Sequence, residues 1–284
     1  MALPGGPEPL QSSTLSDKRL FERKAMKLFS NAVSPCCQKV KMCLYELNLT
    51  FCETEVSLQS KENLSAWYTK LNPNGTIPAL QVGDKVIGDS TKICLYLDEN
   101  FGNNQLMPSD KAMFRKVAST LKLIDQKLHP ASACLLWPMA IRPHLLEMEP
   151  DAALALIKSI PDQKRRDRQK NLFYEGLDAA DVSNGVRVYR DIISKIDFLL
   201  LDMEWLSGDA LGLAAIAFAP YLQLSHQFGW GDLFSDFEAV SRLFSKLESR
   251  KSFKNGVIGS VTPEKRASFL IEGKAIKCKI LSMR

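Results

Sequence analysis

The residues best suited to chemistry are a serine and two cysteines at the predicted start of a helix, in the order Ser34-Pro35-Cys36-Cys37. Residues 26–29 form a short apolar strand, residues 31–35 have the composition of a turn, and residues 36–47 carry apolar side chains at helical spacing. Proline suits the first turn of a helix, and the positive end of the helix dipole lowers the pKa of a thiol beside it. Ser34 is therefore predicted at a strand-to-helix turn that favours an anionic sulfur.

A second candidate site follows in residues 71–80, Leu-Asn-Pro-Asn-Gly-Thr-Ile-Pro-Ala-Leu. Pro78 cannot donate a hydrogen bond to a sheet, and a cis X-Pro bond costs only about 0.5–1 kcal/mol, so a tight turn here can expose the backbone groups of Ile77. Asp89 and Ser90 precede a helical stretch and offer a carboxylate for an ammonium, and a hydroxyl with helix N-terminal amides for a carboxylate. These segments predict an edge that binds an extended thiol peptide with charged groups at one end.

The elements that must position these residues differ between the two halves of the chain. The first half alternates short apolar strands, turns and helices, whereas the second half has helical periodicity over residues 111–128 and 188–206. Residues 212–225 are apolar on nearly all sides, which predicts a buried central helix. No segment is long enough and apolar enough to span a bilayer.

Composition predicts a globular protein in a reducing compartment. The 284 residues with 45% hydrophobic content can bury a full core. Seven cysteines, an odd number without a secretory signal, argue against a disulfide framework, so a cytoplasmic location is expected and organelle import stays open. Residues 1–24 are rich in Gly, Pro and Ser at first and charged later, which predicts a mobile leader.

The charge pattern does not indicate nucleic-acid binding. The net charge is +5, and the densest basic cluster, residues 164–170, has no interleaved aromatic side chains. A solvated helix face or interdomain loop is favoured over a patch for nucleic acid or an anionic ligand. Metal sites, Gly-x-Ser-x-Gly hydrolase motifs and nucleotide-binding loops are not expected, because the three histidines have no partner at ligand spacing.

In combination, three segments resemble the N-terminal domain of the glutathione S-transferase superfamily. They are Ser-Pro-Cys-Cys-Gln-Lys-Val-Lys from residue 34, Asn-Pro-Asn-Gly-Thr-Ile-Pro-Ala-Leu from residue 72, and Asp-Ser-Thr-Lys-Ile-Cys-Leu-Tyr-Leu-Asp-Glu from residue 89. The resemblance covers residues 27–101. Residues 67–73 and 160–166 further resemble a branch that contains bacterial lignin β-etherases, glutathione-dependent dehalogenases and ganglioside-induced differentiation-associated proteins.

The resemblance implies a fold of the α/β plus all-α class. A thioredoxin-like domain over residues 25–102 packs on an all-helical domain over residues 103–262, with a basic tail at residues 263–284 and a homodimer as the assembly. One departure from the family is expected to weaken a helix start. The family usually begins the central helix with Ser or Thr and has Asp three residues on, where this chain has Gly212 and Ala215.

The resemblance also implies glutathione as cosubstrate and assigns roles by position. Ser34 matches the position of a serine that donates a hydrogen bond to the glutathione thiolate, although a plain helix N-cap is the alternative. The implied glutathione-binding residues are Thr76, Ile77, Pro78, Asp89 and Ser90. Thr76 stands where many relatives carry Lys or Gln. Lys61 and Lys70 are candidates for the glycyl carboxylate, with a solvated lysine as the alternative for each. Trp137 and the region around Tyr174 are candidates for an electrophile pocket, with ordinary core or hinge residues as the alternative.

Three functions follow from these residues. The first is a glutathione-dependent transferase that conjugates or reductively cleaves a hydrophobic electrophile. The second is a thiol transferase acting through Cys36, because Ser-Pro-Cys-Cys resembles a glutaredoxin Cys-Pro-x-Cys whose first cysteine is replaced. Cys37 is expected to be buried packing. The third is a non-catalytic binding or scaffold protein, which the altered helix start and Thr76 favour.

Overall fold

The computed structural model describes residues 26–284, and the mobile leader predicted over residues 1–24 lies outside the described residues. The first domain contains these strands and helices: β1 (Met26–Ser30), α1 (Pro35–Glu46), β2 (Cys52–Glu55), α2 (Ala66–Leu71), β3 (Ala79–Val82), β4 (Lys85–Gly88) and α3 (Ser90–Phe101). A short 3-10 turn, Glu62–Leu64, precedes α2.

The strands form one mixed sheet in the order β2-β1-β3-β4. Strand β1 pairs in parallel with β2 and antiparallel with β3, so that Leu28 lies opposite Leu80. Strand β4 continues the antiparallel part, with Ile87 opposite Leu80. The parallel β1–α1–β2 unit followed by the β3–β4 hairpin and α3 is the thioredoxin-like arrangement that the sequence predicted.

The second domain is helical throughout the part of the chain that the structure describes. Its helices are α4 (Lys111–Leu123), α5 (His129–Ala140), α6 (Arg142–Leu146), α7 (Pro150–Lys158), α8 (Gln163–Glu175), α9 (Ala180–Leu199), α10 (Leu213–Gln227), α11 (Glu238–Ser249), α12 (Lys251–Gly256), α13 (Pro263–Ala275) and α14 (Lys277–Leu281). The predicted fold class, an α/β domain packed on an all-helical domain, is confirmed.

The main hydrophobic core runs without a break from one domain into the other. It lies between the sheet and helices α1 and α3, and continues through α4, α5, α9 and α10. A second, small core on the opposite face of the sheet contains Phe29, Val56, Tyr68 and Ala79. Because buried apolar side chains cross the boundary, the two domains hold each other in place, and a site between them has firm walls.

The helices of the second domain depart from the predicted limits at two places. A single π-helical turn, Ile124–Leu128, joins α4 to α5, so the predicted helix over residues 111–128 continues into a longer one. The helix predicted over residues 188–206 begins earlier and ends earlier, as α9. Gly185 has a low helix propensity and therefore hides the first part of α9 in the sequence. A Cβ at residue 185 would lie 2.9 Å from the Ala131 carbonyl oxygen, so glycine allows α9 to approach α5.

The central helix α10 is buried along nearly its whole length, as predicted. Its N-cap residue is Gly212, and no side chain caps its first turn. The reason is steric, because a Cβ on Gly212 would lie 2.1 Å from Ser207 Oγ. The structure therefore confirms that this chain lacks the side-chain cap that the family usually has at the start of the central helix.

Residues 263–284, which the sequence describes as a basic tail, form helices α13 and α14. Phe269 and Ile280 are fully buried against the rest of the helical domain. Across residues 26–284, no helix has both the length and the apolar character that crossing a membrane requires.

Candidate functional site

A cleft of about 920 Å³ lies between the two domains. Its first wall comes from the loop before α1, the loop before β3, and the start of α3. Its second wall comes from the π turn, α5 and α8. The predicted residues that line it are Ser34, Cys36, Lys61, Thr76, Ile77, Asp89, Ser90 and Trp137. Segments far apart in sequence are thus brought to one cavity.

Ser34 caps helix α1. Its backbone is extended, Pro35 follows at the first helical position, and the Cys37 amide donates to Ser34 Oγ at 3.4 Å. A serine N-cap followed by proline is a strong local signal for a helix start, because it satisfies an amide that the helix leaves free. Ser34 therefore has the capping role and also lines the cleft.

Cys36 lies in the first turn of α1 with its sulfur facing the helical domain. Its Sγ is 3.5 Å from His129 Nδ1 and 3.8 Å from the Tyr221 hydroxyl. Burial alone would raise the pKa of the Cys36 thiol, but the charge and hydrogen bond of His129, with help from Lys39 and Ser90, lower it to about 7. A substantial fraction of Cys36 is therefore thiolate at neutral pH.

His129 and Tyr221 complete this arrangement from the helical domain. The Tyr221 hydroxyl lies 3.2 Å from His129 Nδ1. The negative charge of Cys36 is the largest influence on His129 and raises the pKa of its imidazole, although burial opposes this. Burial raises the pKa of Tyr221 well above its ordinary value, so its hydroxyl stays protonated. The geometry describes a thiolate–imidazolium pair with a neutral phenol beside it.

A buried lysine links this pair to both domains. Lys39 is fully buried, and its Nζ is hydrogen-bonded to Thr91 and lies 3.0 Å from Asp125 Oδ1. Thr91 Oγ1 in turn donates to Asp125 Oδ2 at 2.6 Å. Because Asp125 sits in the π turn just before His129, this network fixes the turn that aims His129 at Cys36.

Cys37, the next residue, has the opposite environment. It is fully buried beneath α1, and the Asn31 amide donates to its Sγ at 3.4 Å. Burial raises the pKa of Cys37 to about 12. The thiol stays protonated, in keeping with the prediction that this cysteine is packing.

The predicted peptide-binding edge lies across the cleft from the helical domain. The Ile77–Pro78 bond is cis, and Ile77 lines the cleft whereas Pro78 is buried outside its lining. The Thr76 carbonyl is fixed by the Tyr68 hydroxyl at 2.7 Å and Asn72 Nδ2 at 2.6 Å. The loop is therefore held rigid by side chains behind it.

Asp89 and Ser90 lie at the start of α3. Asp89 is exposed and accepts from the Lys92 amide at 3.0 Å, while Ser90 is buried as the first residue of the helix. Asp89 has φ +74°, a left-handed conformation that is costly for a residue other than glycine. Such strain is common at binding sites, because the rest of the fold must hold the residue there.

The two candidate lysines separate in the structure. Lys70 is exposed and does not line the cleft, whereas Lys61 is buried in its wall and donates to Gln169 Oε1 at 2.7 Å. Of the basic cluster at 164–170, Arg165 and Arg168 also line the cleft. One part of the basic cluster is therefore solvated, as predicted, and the other part faces the cleft. Tyr174 is exposed and contributes nothing to the cleft, but Trp137 lines it as predicted.

Sequence reasoning missed His129, Tyr221, Lys39 and Asp125. The partner of His129 is Cys36, which lies 93 residues away, so no local spacing reveals it. Within residues 26–284, no group of three or more His, Cys, Asp or Glu side chains is arranged to hold a metal ion.

Comparison with known proteins supplies the family. Residues 33–100 match the family model described as "Glutathione S-transferase, N-terminal domain". Protein LigF of Sphingobium sp. strain SYK-6 is 30% identical over 184 residues, which cover 62% of this chain and 72% of that protein. Glutathione S-transferase 1 of Dianthus caryophyllus is 40% identical over 89 residues, but these span only 31% of this chain and 40% of that protein.

Solved structures support the same fold. The crystal structure of the β-etherase LigF from Sphingobium sp. strain SYK-6 has a TM-score of 0.72 at 21% identity, covering 82% of this chain and 98% of that one. A theta class glutathione S-transferase from Xanthomonas axonopodis pv. citri, with glutathione bound, has a TM-score of 0.61 at 17% identity, covering 82% and 97%. The family model, the extent of the LigF alignment and the shared two-domain fold show that this chain belongs to the glutathione S-transferase superfamily, in the branch that includes LigF.

Proposed function

We propose that this protein is a glutathione-dependent transferase that conjugates a hydrophobic electrophile or cleaves it reductively. One observation carries the proposal: a single cleft is lined by Ser34, Ile77 and Asp89 from the first domain and by apolar side chains from the second. These groups match the thiol, backbone and ammonium of one peptide, and the apolar wall offers a place for an acceptor.

The chemistry assigns each group a part. Asp89 pairs with the ammonium of the γ-glutamyl end, and Ser90 with the free amides of α3 holds its carboxylate. The backbone of Ile77 pairs with the cysteinyl residue, beside Thr76. The Ser34 hydroxyl donates to the glutathione sulfur and favours its thiolate form. The thiolate forms a carbon–sulfur bond with the electrophile, and the leaving group departs with its bonding electrons.

The relatives support this class of reaction. LigF is named a β-etherase, and the theta class structure holds glutathione in the same fold. Both names belong to those proteins, and the reaction of this chain is inferred from its own cleft. Leu136, Trp137 and Ile141 form the apolar wall that the acceptor would contact.

Calorimetric titration with reduced glutathione tests the proposal directly. We expect saturable binding that is at least about tenfold weaker in Asp89→Ala, because a charge-assisted hydrogen bond to the ammonium is lost. Asp84→Ala removes another exposed carboxylate, which lies outside the cleft, and should leave binding unchanged. Absence of binding at millimolar glutathione would contradict the proposal. Turnover of ether, halide and disulfide acceptors would then separate conjugation from reductive cleavage.

A second function, thiol transfer through Cys36, is favoured by the His129 contact and the lowered pKa of Cys36. In the first step, the Cys36 thiolate attacks the glutathione sulfur of a mixed disulfide, forms Cys36–S–S-glutathione and releases the other thiol. A second glutathione thiolate then attacks this intermediate, giving glutathione disulfide and free Cys36.

Two substitutions distinguish the functions. Cys36→Ser should abolish thiol transfer, because no other thiol lining the cleft can form the mixed disulfide. Ser34→Ala should instead lower conjugation, because the sulfur of bound glutathione loses a hydrogen-bond donor. Assays of both variants with a disulfide and with an aryl halide separate the two mechanisms.

A further inference from the structure

Three basic side chains gather in the part of the cleft beside Trp137, about two turns along α5 from His129. They are Lys61, in the loop before α2, and Arg165 and Arg168 on α8. We call these three residues the cationic end. Lys61 belongs to the first domain and the two arginines belong to the second, so the fold brings like charges together across the domain boundary.

These cations form no ion pair within the described part of the chain, although the Asp162 carboxylate stabilises the charged form of Arg165 from a longer distance. No carboxylate oxygen lies within 4.0 Å of Lys61, Arg165 or Arg168 in residues 26–284, although eight ion pairs of lysine or arginine form elsewhere. Lys61 donates to the neutral amide of Gln169. Arg165 Nη2 donates to the Asn74 carbonyl at 3.3 Å, and its buried Nε has no acceptor.

Holding the buried Lys61 without an ion-pair partner costs stability. Lys61 is only 6% exposed, and burial, followed by repulsion from Arg165, lowers its pKa to about 7. A protein that needed only packing here would use apolar side chains, because an uncompensated buried charge is expensive. Unpaired cations that line an open cleft are expected to bind an anion from solution.

The wall beside the cationic end suits a flat apolar group. The Lys61 ammonium lies 5.4 Å from the centre of the Trp137 ring, and Leu136, Ile141 and Ile160 continue this apolar surface. Trp137 Nε1 is buried without an acceptor. A ligand that fits has an aromatic or apolar body and an acidic oxygen at its end.

Glutathione by itself does not supply enough negative charge. Its γ-glutamyl carboxylate belongs with Ser90 and the start of α3 in the proposed function, so only the glycyl carboxylate is left. A glycyl carboxylate offsets one unit of positive charge, and the nearby Asp162 carboxylate, which accepts from the backbone amide of Arg165, offsets part of another. Positive charge therefore remains for a second ligand.

We propose that the acceptor substrate is an aromatic or apolar electrophile that carries a carboxylate, which the cationic end recognises. This inference rests on the proposed glutathione-dependent function and specifies its substrate class. Lys61 approaches the acid group from one domain and Arg168 from the other, while the body of the acceptor lies along Trp137.

Calorimetry with three ligands tests the proposal without requiring turnover: glutathione, S-(4-carboxybenzyl)glutathione and its neutral carboxamide analogue. We expect the wild-type protein to bind the acid conjugate about tenfold more tightly than the amide, because a charge-assisted contact is gained. Arg168→Gln should remove this preference while the affinity for the amide conjugate stays. Lys170→Gln, an exposed position on the same helix outside the cleft lining, removes one charge as the matched control.

The outcomes separate the two proposals. Wild-type protein that binds none of the three ligands overturns both the transferase function and this inference. Protein that binds glutathione but does not distinguish acid from amide overturns only the inference. Loss of affinity for glutathione itself in Arg168→Gln also overturns it, because the cationic end would then hold the glycyl carboxylate. If Arg168→Gln fails to fold, Arg165→Gln applies the same test.

Discussion

The two ends of the cleft differ in whether their charged groups have partners. At the thiol end, Cys36 contacts His129, and the buried Lys39 contacts Asp125 at 3.0 Å. At the cationic end, the buried Lys61 donates to the neutral Gln169 and lies over the Trp137 ring. No carboxylate within the described residues approaches Lys61 or Arg168 within ion-pair distance. Because both ends lie in the same cavity, solvent access alone does not explain why the charged groups of one end have ion-pair partners and those of the other do not.

The comparison indicates what each end is built to do. A charged group with its partner already in place is prepared for chemistry at that group, since the partner sets its protonation state. A cation without a partner is prepared to receive a ligand that brings the opposite charge. The same cleft thus combines a preset nucleophile region with a recognition region.

The largest expected effect contrasts Cys36 with its neighbour Cys37. Their pKa values of about 7 and about 12 predict that at pH 7 about half of Cys36 but only on the order of one in 10⁵ of Cys37 is thiolate. We expect iodoacetamide to modify Cys36 at least about a thousandfold faster than Cys37, since thiolate is the reactive form. Peptide mass spectrometry of protein alkylated for increasing times measures both rates.

Cys36→Ser provides the control for this experiment, because the remaining fast reaction must then come from the exposed Cys52 and Cys278. Similar alkylation rates at Cys36 and Cys37 in the folded protein would contradict the view that Cys36 is a reactive thiolate and Cys37 a buried, protonated thiol.

The source of the low pKa can be tested by removing the imidazole. In His129→Asn the burial of Cys36 persists while the charge and the hydrogen bond of His129 are lost, so the pKa should rise by at least about one unit. Alkylation of Cys36 at pH 7 should fall about tenfold or more. Titration of thiolate absorbance at 240 nm locates the midpoint, and Tyr221→Phe, which keeps the imidazole, should move it less. An unchanged midpoint in His129→Asn would show that His129 does not lower the pKa of Cys36 in solution.

The sequence predicted the first wall of the cleft because its signals are local. Ser34 before a proline, the Asn-Gly and Ile-Pro turns, and Asp89 before a helix each specify a backbone conformation within a few residues. Ser34, the Asn74–Gly75 turn, Ile77 and Asp89 line the cleft in the structure, whereas Pro78 lies outside its lining. The sequence also identified the missing cap at Gly212, although only the structure reveals that the Ser207 side chain fills the space.

The second wall could not be predicted in the same way. His129, Tyr221 and Arg165 meet the first domain only through the packing of helices. The start of α9 at Ala180 was obscured by Gly185, because glycine usually weakens helices. Basic side chains at residues 164–170 look alike in sequence. The orientation of α8 alone decides that Arg165 and Arg168 face the cleft and Lys170 faces solvent.

The two buried lysines should respond to substitution with opposite signs. Lys61→Met removes an unpaired buried charge and should raise the free energy of unfolding by about 1–3 kcal/mol at pH 6. Lys39→Met leaves Asp125 without its ion-pair partner and should lower it. Urea unfolding measures both, and a loss of stability in Lys61→Met would contradict the view that Lys61 is kept for binding rather than for the fold.

The pH dependence of this stabilisation has a definite sign. Folded Lys61 loses its proton near pH 7, whereas the unfolded side chain keeps it up to about 10.5. Between these values the unfolded chain binds more protons than the folded protein. The free energy of unfolding of the wild-type protein therefore increases as the pH rises. The advantage of Lys61→Met should therefore be largest below pH 7 and shrink towards pH 10.5. A difference between the two proteins that does not change with pH would contradict the lowered pKa.

The smallest effect is expected at Ser34, which belongs to the thiol end but is not a contact of the Cys36 sulfur. Ser34→Ala removes a helix cap whose hydrogen bond is long, 3.4 Å, so the free energy of unfolding should fall by only about 0.5–1 kcal/mol. Because the charge of His129 is untouched, the alkylation rate of Cys36 should stay within about twofold. Conjugation of glutathione should fall while the reactivity of Cys36 persists, since the Ser34 hydroxyl acts on the bound sulfur and His129 acts on the protein sulfur. If Cys36 alkylation instead fell with conjugation, Ser34 and His129 would act on one sulfur, and the thiol end would contain a single reactive centre.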